Sequence, residues 1–132
     1  MRYCADTWFF IQLANNNPKA LEIWQEIKDG KGRLAISTLV IAETIKQFLR
    51  KNMKKDLESL SHAFTNSEKI SVVDVTKEIA EMGGKFSYYH DMPIIDSIIQ
   101  ATAVTMNYTN ILSSDEHYKI AERQKIIKRI FW

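Results

Sequence analysis

Cysteine, proline and glycine are scarce in this chain of 132 residues, with one, two and four respectively. A single cysteine, Cys4, rules out an intramolecular disulfide and any zinc site built on paired cysteines. With so little proline and glycine, and no repeat or low-complexity stretch, nothing reads as a linker, and residues 1–132 are expected to form a single domain. No apolar run approaches the ~20 residues that a membrane helix needs. The opening MRYCADTWFF carries Asp6 inside what would be the apolar region of a signal peptide, which disqualifies it as one. A cytoplasmic protein that does not engage a membrane is the resulting expectation. An excess of one charge is missing too: 18 Lys and Arg against 16 Asp and Glu leave a net charge of +2, too little to argue for a nucleic-acid partner by itself.

What is present is an ordinary globular composition, 45% hydrophobic and 26% charged. A domain of this size buries roughly two-thirds of the surface of its unfolded chain, enough to fold without staples. The basic residues are unevenly spread. Lys46, Arg50, Lys51, Lys54 and Lys55 fall within ten residues, and Lys119, Arg123, Lys125, Lys128 and Arg129 crowd the far end. Such clusters can track a phosphate backbone, or simply line a solvated helix face.

Strand and helix signals alternate. Arg2 to Ala5 reads as a strand, followed by Thr7 as the cap of a helix from Trp8 to Ala14. Asn17-Pro18 starts a second helix, with Ala20, Ile23, Trp24 and Ile27 on one face and Gly30 closing it. Leu34 to Ile36 is a short strand, and Ser37 or Thr38 caps a helix whose apolar face is Ile41, Ile45, Phe48 and Leu49. A helix from Asp56 to Phe64 precedes a strand from Ile70 to Val73. Thr76 begins a helix towards Tyr88 or Tyr89, whose continuity across Gly83-Gly84 is open. Pro93 opens a helix to about Tyr108, and a strand from Asn110 to Ser113 follows. A short helix from His117 to Arg123 and a strand from Ile126 to Phe131 complete the set. This alternation predicts an α/β fold, a parallel sheet of four to five strands with helices on both faces.

Sheets of this kind bind ligands beyond the carboxyl ends of their strands, where strand order reverses. Asp6 follows the first strand and Asp115 the fourth, while Glu43 and Asp96 lie early in helices that leave the same edge. Asp96 is embedded in IIDSII and Glu43 in LVIAETI, settings where a carboxylate is costly to bury unless paired or metal-bound. Asp96, Gln100 and Ala103 form a polar-to-small stripe, opposite an apolar face of Ile95, Ile98, Ile99, Thr102 and Met106. Each acid alone has a structural role open to it: Asp6 and Asp115 as helix caps, Asp96 favouring a helix dipole, Glu43 pairing with Lys46 or Gln47. Four carboxylates at one edge together call for a cation.

The segments CADTWFFIQLA, STLVIAETIKQF, MPIIDSIIQATAVTMN and TNILSSDEHY resemble the PIN-domain ribonucleases, in particular the VapC-like toxins of toxin–antitoxin pairs, in order and approximate spacing from Ala5 to Tyr118. The resemblance implies a Rossmann-like sheet in the order 3-2-1-4-5. It also implies Asp6, Glu43, Asp96 and Asp115 as catalytic metal ligands, Mg²⁺ or Mn²⁺ as cofactor, and hydrolysis of RNA by a metal-activated water leaving 5′-phosphate ends. Thr7 matches the hydroxyl residue that supports the first aspartate, and Ser114 is taken as a supporting residue beside Asp115. Two positions depart from the family pattern. Trp8 stands where Asn is frequent, and His117 where a further acid is frequent. His117 is read as an outer-shell or phosphate-contacting group, or as an exposed histidine capping a short helix. Lys46, Arg50, Lys51, Lys54 and Lys55 are the candidate RNA-backbone contacts. A cognate antitoxin and a homodimer are the partners implied, with Phe86, Tyr88 and Tyr89 as candidate contact aromatics. Two other readings compete: a non-catalytic PIN-like module that binds RNA or protein, and a phosphorelay receiver built on Asp74, Ser113 and Lys128.

Overall fold

The protein was studied as a computed structural model, which describes residues 1–132 throughout. Five strands, β1 (Arg2–Ala5), β2 (Arg33–Ser37), β3 (Ile70–Val73), β4 (Asn110–Leu112) and β5 (Lys128–Ile130), form one sheet in the order β3-β2-β1-β4-β5. All pairings are parallel; Cys4 lies opposite Ala35 on one side and Ile111 on the other. Between the strands run α1 (Thr7–Ala14), α2 (Pro18–Lys28), α3 (Thr38–Arg50), α4 (Lys54–Asn66), α5 (Lys77–Tyr89), α6 (Ile94–Met106), a 3-10 turn (Glu116–Tyr118) and α7 (Lys119–Arg123). The chain steps outward from β1 to β3, then returns through α5 and α6 to β4 on the far side of β1. Because crossovers are right-handed, α1–α4 cover one face and α5–α7 the other.

The central strands are buried on both faces, as parallel strands between helical layers must be. Cys4, Ala5, Leu34, Ile36, Ile111 and Leu112 are fully enclosed and join Phe9, Phe10, Val40, Phe48, Ile99 and Tyr118 in one core. Phe10 packs edge-on against both Phe9 and Phe64. Helix starts follow local chemistry: the side chains of Asn17, Ser37 and Thr76 accept backbone N–H groups at the heads of α2, α3 and α5. Positive-φ residues close α2 (Gly30, +78°) and α6 (Asn107, +58°).

Three expectations change. Asp6, not Thr7, caps α1, because the carboxylate accepts the Thr7 N–H and Thr7 is already helical. On α3 the enclosed face is Val40, Thr44 and Phe48, whereas Ile45 and Leu49 are exposed. On α6 burial is nearly all round: Ser97, Gln100 and Thr102 are as enclosed as Ile99, while Ile94 and Ile95 face solvent. Gln100 is half satisfied: its amide donates to His90 Nδ1 at 3.1 Å, with Gln124 on the other ring nitrogen at 3.2 Å, while its own Oε1 is buried without a partner. Helix α5 runs unbroken through Gly83-Gly84, and Gly83 lets it approach the α6 backbone at Ile98.

Candidate active site

The sheet order places the carboxyl ends of β1 and β4 side by side, at the point where the chain turns from one direction of growth to the other. Asp6 leaves β1 there and is 8% exposed. Its Oδ1 accepts the Thr7 N–H at 2.7 Å, and its Oδ2 accepts the Ser113 hydroxyl, also at 2.7 Å. Burial pushes the Asp6 pKa up, these two hydrogen bonds draw it back, and the net shift is upward. Ser113 does a second job: its Oγ accepts the Asp115 N–H at 3.0 Å, so one hydroxyl bridges the first acid to the backbone of the fourth. Ser114, expected beside Asp115 as the supporting residue, makes no such contact; the serine one place earlier, at the end of β4, holds the site together.

Glu43 comes from the second turn of α3, which Ser37 caps at the same edge. The Thr7 hydroxyl donates to Glu43 Oε1 at 3.3 Å, linking this acid to the head of α1. Burial, and then the charge of Asp6, raise the Glu43 pKa. Asp96 sits in the first turn of α6, with a positive helix end behind it. Burial lifts its pKa to about 6, against the pull of its hydrogen bond with His117, and the charges of Asp115 and Asp6 add to the rise. Asp115 caps the 3-10 turn, accepting the His117 N–H at 2.8 Å.

That turn swings the His117 ring back over the acids. Its Nδ1 lies 2.8 Å from Asp96 Oδ2 and 2.9 Å from Asp115 Oδ1, and the bond to Asp96 foremost raises its pKa. The outer-facing capping role expected for this histidine is thus taken by Asp115. No lysine or arginine forms an ion pair with any of the four acids. Arg129 comes near, donating to the Asp115 carbonyl at 3.3 Å, but its guanidinium is engaged by Glu122 at 3.0 Å and Glu116 at 3.5 Å. Beneath the cluster the Tyr118 hydroxyl is wholly buried with no hydrogen-bond partner. Burial first, then the charges of Asp6 and Asp96, push its pKa well above the ordinary value.

This donor set suits a divalent cation. Ligand atoms of Asp96, Asp115 and His117 lie within 4.8 Å of one another, no Lys or Arg neutralises the carboxylates, and a buried hydroxyl lies on the residue that follows His117. Asp6 and Glu43 attach to the same group through Ser113 and Thr7. The expected RNA-contacting cations are spread out. Lys46, one turn from Glu43, is near enough to lower its pKa, whereas Arg50 at the end of α3 is roughly 10 Å beyond it at 1.5 Å per residue, and Lys51, Lys54 and Lys55 follow in the turn and at the head of α4. Trp8 packs against Trp132, ring centroids 4.7 Å apart, and Trp132 Nε1 donates to Gln12 at 3.3 Å.

Residues 3–124 match the PIN domain family. The chain is a PIN domain. Its fold recurs in a VapBC2 complex of Rickettsia felis bound to a promoter DNA fragment, at 16% identity and a TM-score of 0.73 over 100% of this chain and 99% of that one. VapC20 of Mycobacterium tuberculosis, described as a Sarcin-Ricin loop cleaving toxin, matches at 20% identity and a TM-score of 0.71 over 90% and 94%. VapBC-1 of nontypeable Haemophilus influenzae matches at 21% identity and 0.68 over 100% and 98%. None of the curated protein sequences matches. The receiver reading falls with the topology of this PIN domain: β3 is an edge strand, so Asp74 stands two strands away from Asp6 and exposed.

Proposed function

We propose that this PIN domain is a divalent-metal-dependent endoribonuclease and the toxin of a toxin–antitoxin pair, with Asp6, Glu43, Asp96 and Asp115 as its catalytic acids. The observation that carries the reading is the cluster of Asp96, Asp115 and His117 beside the β1/β4 switch point, to which Ser113 and Thr7 link Asp6 and Glu43, with no Lys or Arg paired to any of the four carboxylates. When bound, a Mg²⁺ or Mn²⁺ ion supplies a water acidic enough to attack a phosphodiester and offsets charge on the phosphate. The chain's own part is placement. Ser113 and the Thr7 N–H fix both oxygens of Asp6, Thr7 steadies Glu43, and Asp115 is held by its own turn. Lys46, one turn from Glu43, is the cation best placed to receive the RNA backbone, and the more distant Arg50, Lys51, Lys54 and Lys55 continue from the end of α3 to the head of α4.

The likeness to VapC20, a loop-cleaving toxin, and to VapBC complexes supports the RNA substrate and the antitoxin partner. The partner, though not the substrate, is supported also by an apolar groove of about 320 Å³ between α1, α2, α3 and α4, lined by Leu13, Leu21, Trp24, Phe48 and Leu60, a surface that fits an apolar segment of another chain. Tyr88 and Tyr89, 80% and 75% exposed at the end of α5, are the side chains most available to a homodimer contact; Phe86, stacked on His90, is partly buried. Light scattering at micromolar concentration should return twice the chain mass.

Incubating bulk tRNA and rRNA with the protein and Mg²⁺, Mn²⁺ or EDTA tests the activity. Discrete fragments with 5′-phosphate ends, absent in EDTA and absent with Asp96→Asn, are expected. Fragments that persist with Asp96→Asn, or that end in 2′,3′-cyclic phosphate, would refute the mechanism. RNA binding without cleavage would favour a non-catalytic module.

A further inference from the structure

We infer that His117 is itself a metal ligand, so that the site is a mixed nitrogen–oxygen one that prefers first-row transition ions to Mg²⁺. The inference rests on the reading of the acid cluster as a metal-holding centre, and goes beyond it by assigning a nitrogen donor and the class of ion that donor selects.

Two of the three donor spacings already suit an ion. His117 Nδ1 stands 2.8 Å from Asp96 Oδ2 and 2.9 Å from Asp115 Oδ1, and all three residues offer ligand atoms within 4.8 Å of one another. Two donors at right angles on an ion with bonds of about 2.1 Å are about 3 Å apart. The observed separations match that spacing, and an ion entering the cluster takes the place of the proton now shared between the ring and two carboxylates. That proton goes to solvent, and the Nδ1 lone pair turns from accepting it to binding the ion. The ring is also held there: the His117 N–H is bound by Asp115, fixing the backbone on which it turns. A second, independent observation points to the same place. The hydroxyl of Tyr118, the residue that follows His117, is fully buried without a hydrogen-bond partner.

Donor chemistry then decides the ion. Mg²⁺ takes oxygen, and each water or carboxylate replaced by imidazole weakens its hold relative to Mn²⁺, and more so to Co²⁺ and Ni²⁺, which follow it in the order of increasing affinity for nitrogen donors. An all-carboxylate version of the same site would show a flatter gradient.

Metal binding, measured without RNA, tests this. Calorimetric titration of metal-free wild type, His117→Asp and His117→Ala with Mg²⁺, Mn²⁺ and Co²⁺ gives the affinity ratios. Proton NMR of the Co²⁺ forms shows directly whether an imidazole is bound, since only three histidines are present. The Co²⁺-to-Mg²⁺ affinity ratio should fall by about tenfold or more in His117→Asp, and a paramagnetically shifted ring N–H should be present in wild type and missing in both variants. An unchanged ratio and no shifted ring signal, with ions still bound, would overturn His117 ligation and leave the nuclease reading standing. No divalent ion bound by wild type at millimolar concentration would overturn both.

Discussion

With its pKa lifted to about 6 by burial, Asp96 holds a proton over a pH range in which an exposed aspartate is ionised. Between about pH 4 and 6 the folded, metal-free protein therefore binds more protons than the unfolded chain, and the Asp96 contribution to stability falls as pH rises through that window. His117, raised chiefly by Asp96, acts in the same direction: its stabilisation is complete below the ordinary histidine value and is lost as pH climbs through the raised one. In EDTA the melting temperature should drop from pH 5 to pH 7.5 more in wild type than in Asp96→Asn, a comparison that scanning calorimetry makes directly. Asp96 must lose its proton to take an ion, so Mn²⁺ affinity should weaken as pH falls below about 6, which calorimetric titration at pH 5 and pH 7.5 measures. Ser113→Ala removes the donor to Asp6 and the acceptor of the Asp115 N–H; a loss of about 2 kcal/mol is expected in urea unfolding. Asp6, Asp96 and Asp115 were readable as candidates because each stands where a strand ends or a helix starts at the sheet edge, and Glu43 because a carboxylate within LVIAETI is costly to bury. His117 was named as a candidate with its role left open, and Ser113 was passed over for Ser114, because the capping turn through SSDEH sets their partners and spacing along the chain does not say which way such a turn carries a side chain.

At the scale of elements, neighbouring glycines in α5 give opposite predictions. A Cβ on Gly84 meets nothing within 4 Å, so Gly84→Ala should stabilise by up to about 1 kcal/mol through helix propensity alone. On Gly83 it would stand 2.9 Å from the Ile98 side chain and 3.3 Å from the Ile98 Cα, so the same change there should cost about 1–2 kcal/mol net as α5 and α6 are forced apart. Chemical denaturation of the pair separates the two effects. From sequence the glycines left the continuity of this helix open, since propensity counts their cost and not the close approach they permit. The faces of α3 and α6 misled for a related reason. Periodicity identifies a stripe of apolar residues, but Thr44 and Gln100 are enclosed by neighbours that arrive from distant parts of the chain, while Ile45 and Leu49 are left outside.

For the whole molecule, the alternation of strands and helices made the parallel sheet legible, whereas its order, β3-β2-β1-β4-β5, was implied by the family resemblance, since right-handed crossovers alone admit more than one order of five strands. No helix is long and apolar enough to cross a membrane. A ligand that binds only the folded form adds about 2.7 kcal/mol at a hundred times its dissociation constant, which for a chain of this length is about 10 °C in melting temperature. Mn²⁺ at that excess should produce such a shift at pH 7.5, and Asp96→Asn should shrink it. The same energy can be followed at one atom. Cys4 lies in the middle strand, fully buried, its thiol pushed up to about 12 by burial. A thiol reagent reaches it only in molecules whose central strand has come out of the sheet. Its rate of labelling is therefore a clock for opening of the whole fold, and anything that grips the folded state, metal or partner, slows that clock without needing a substrate.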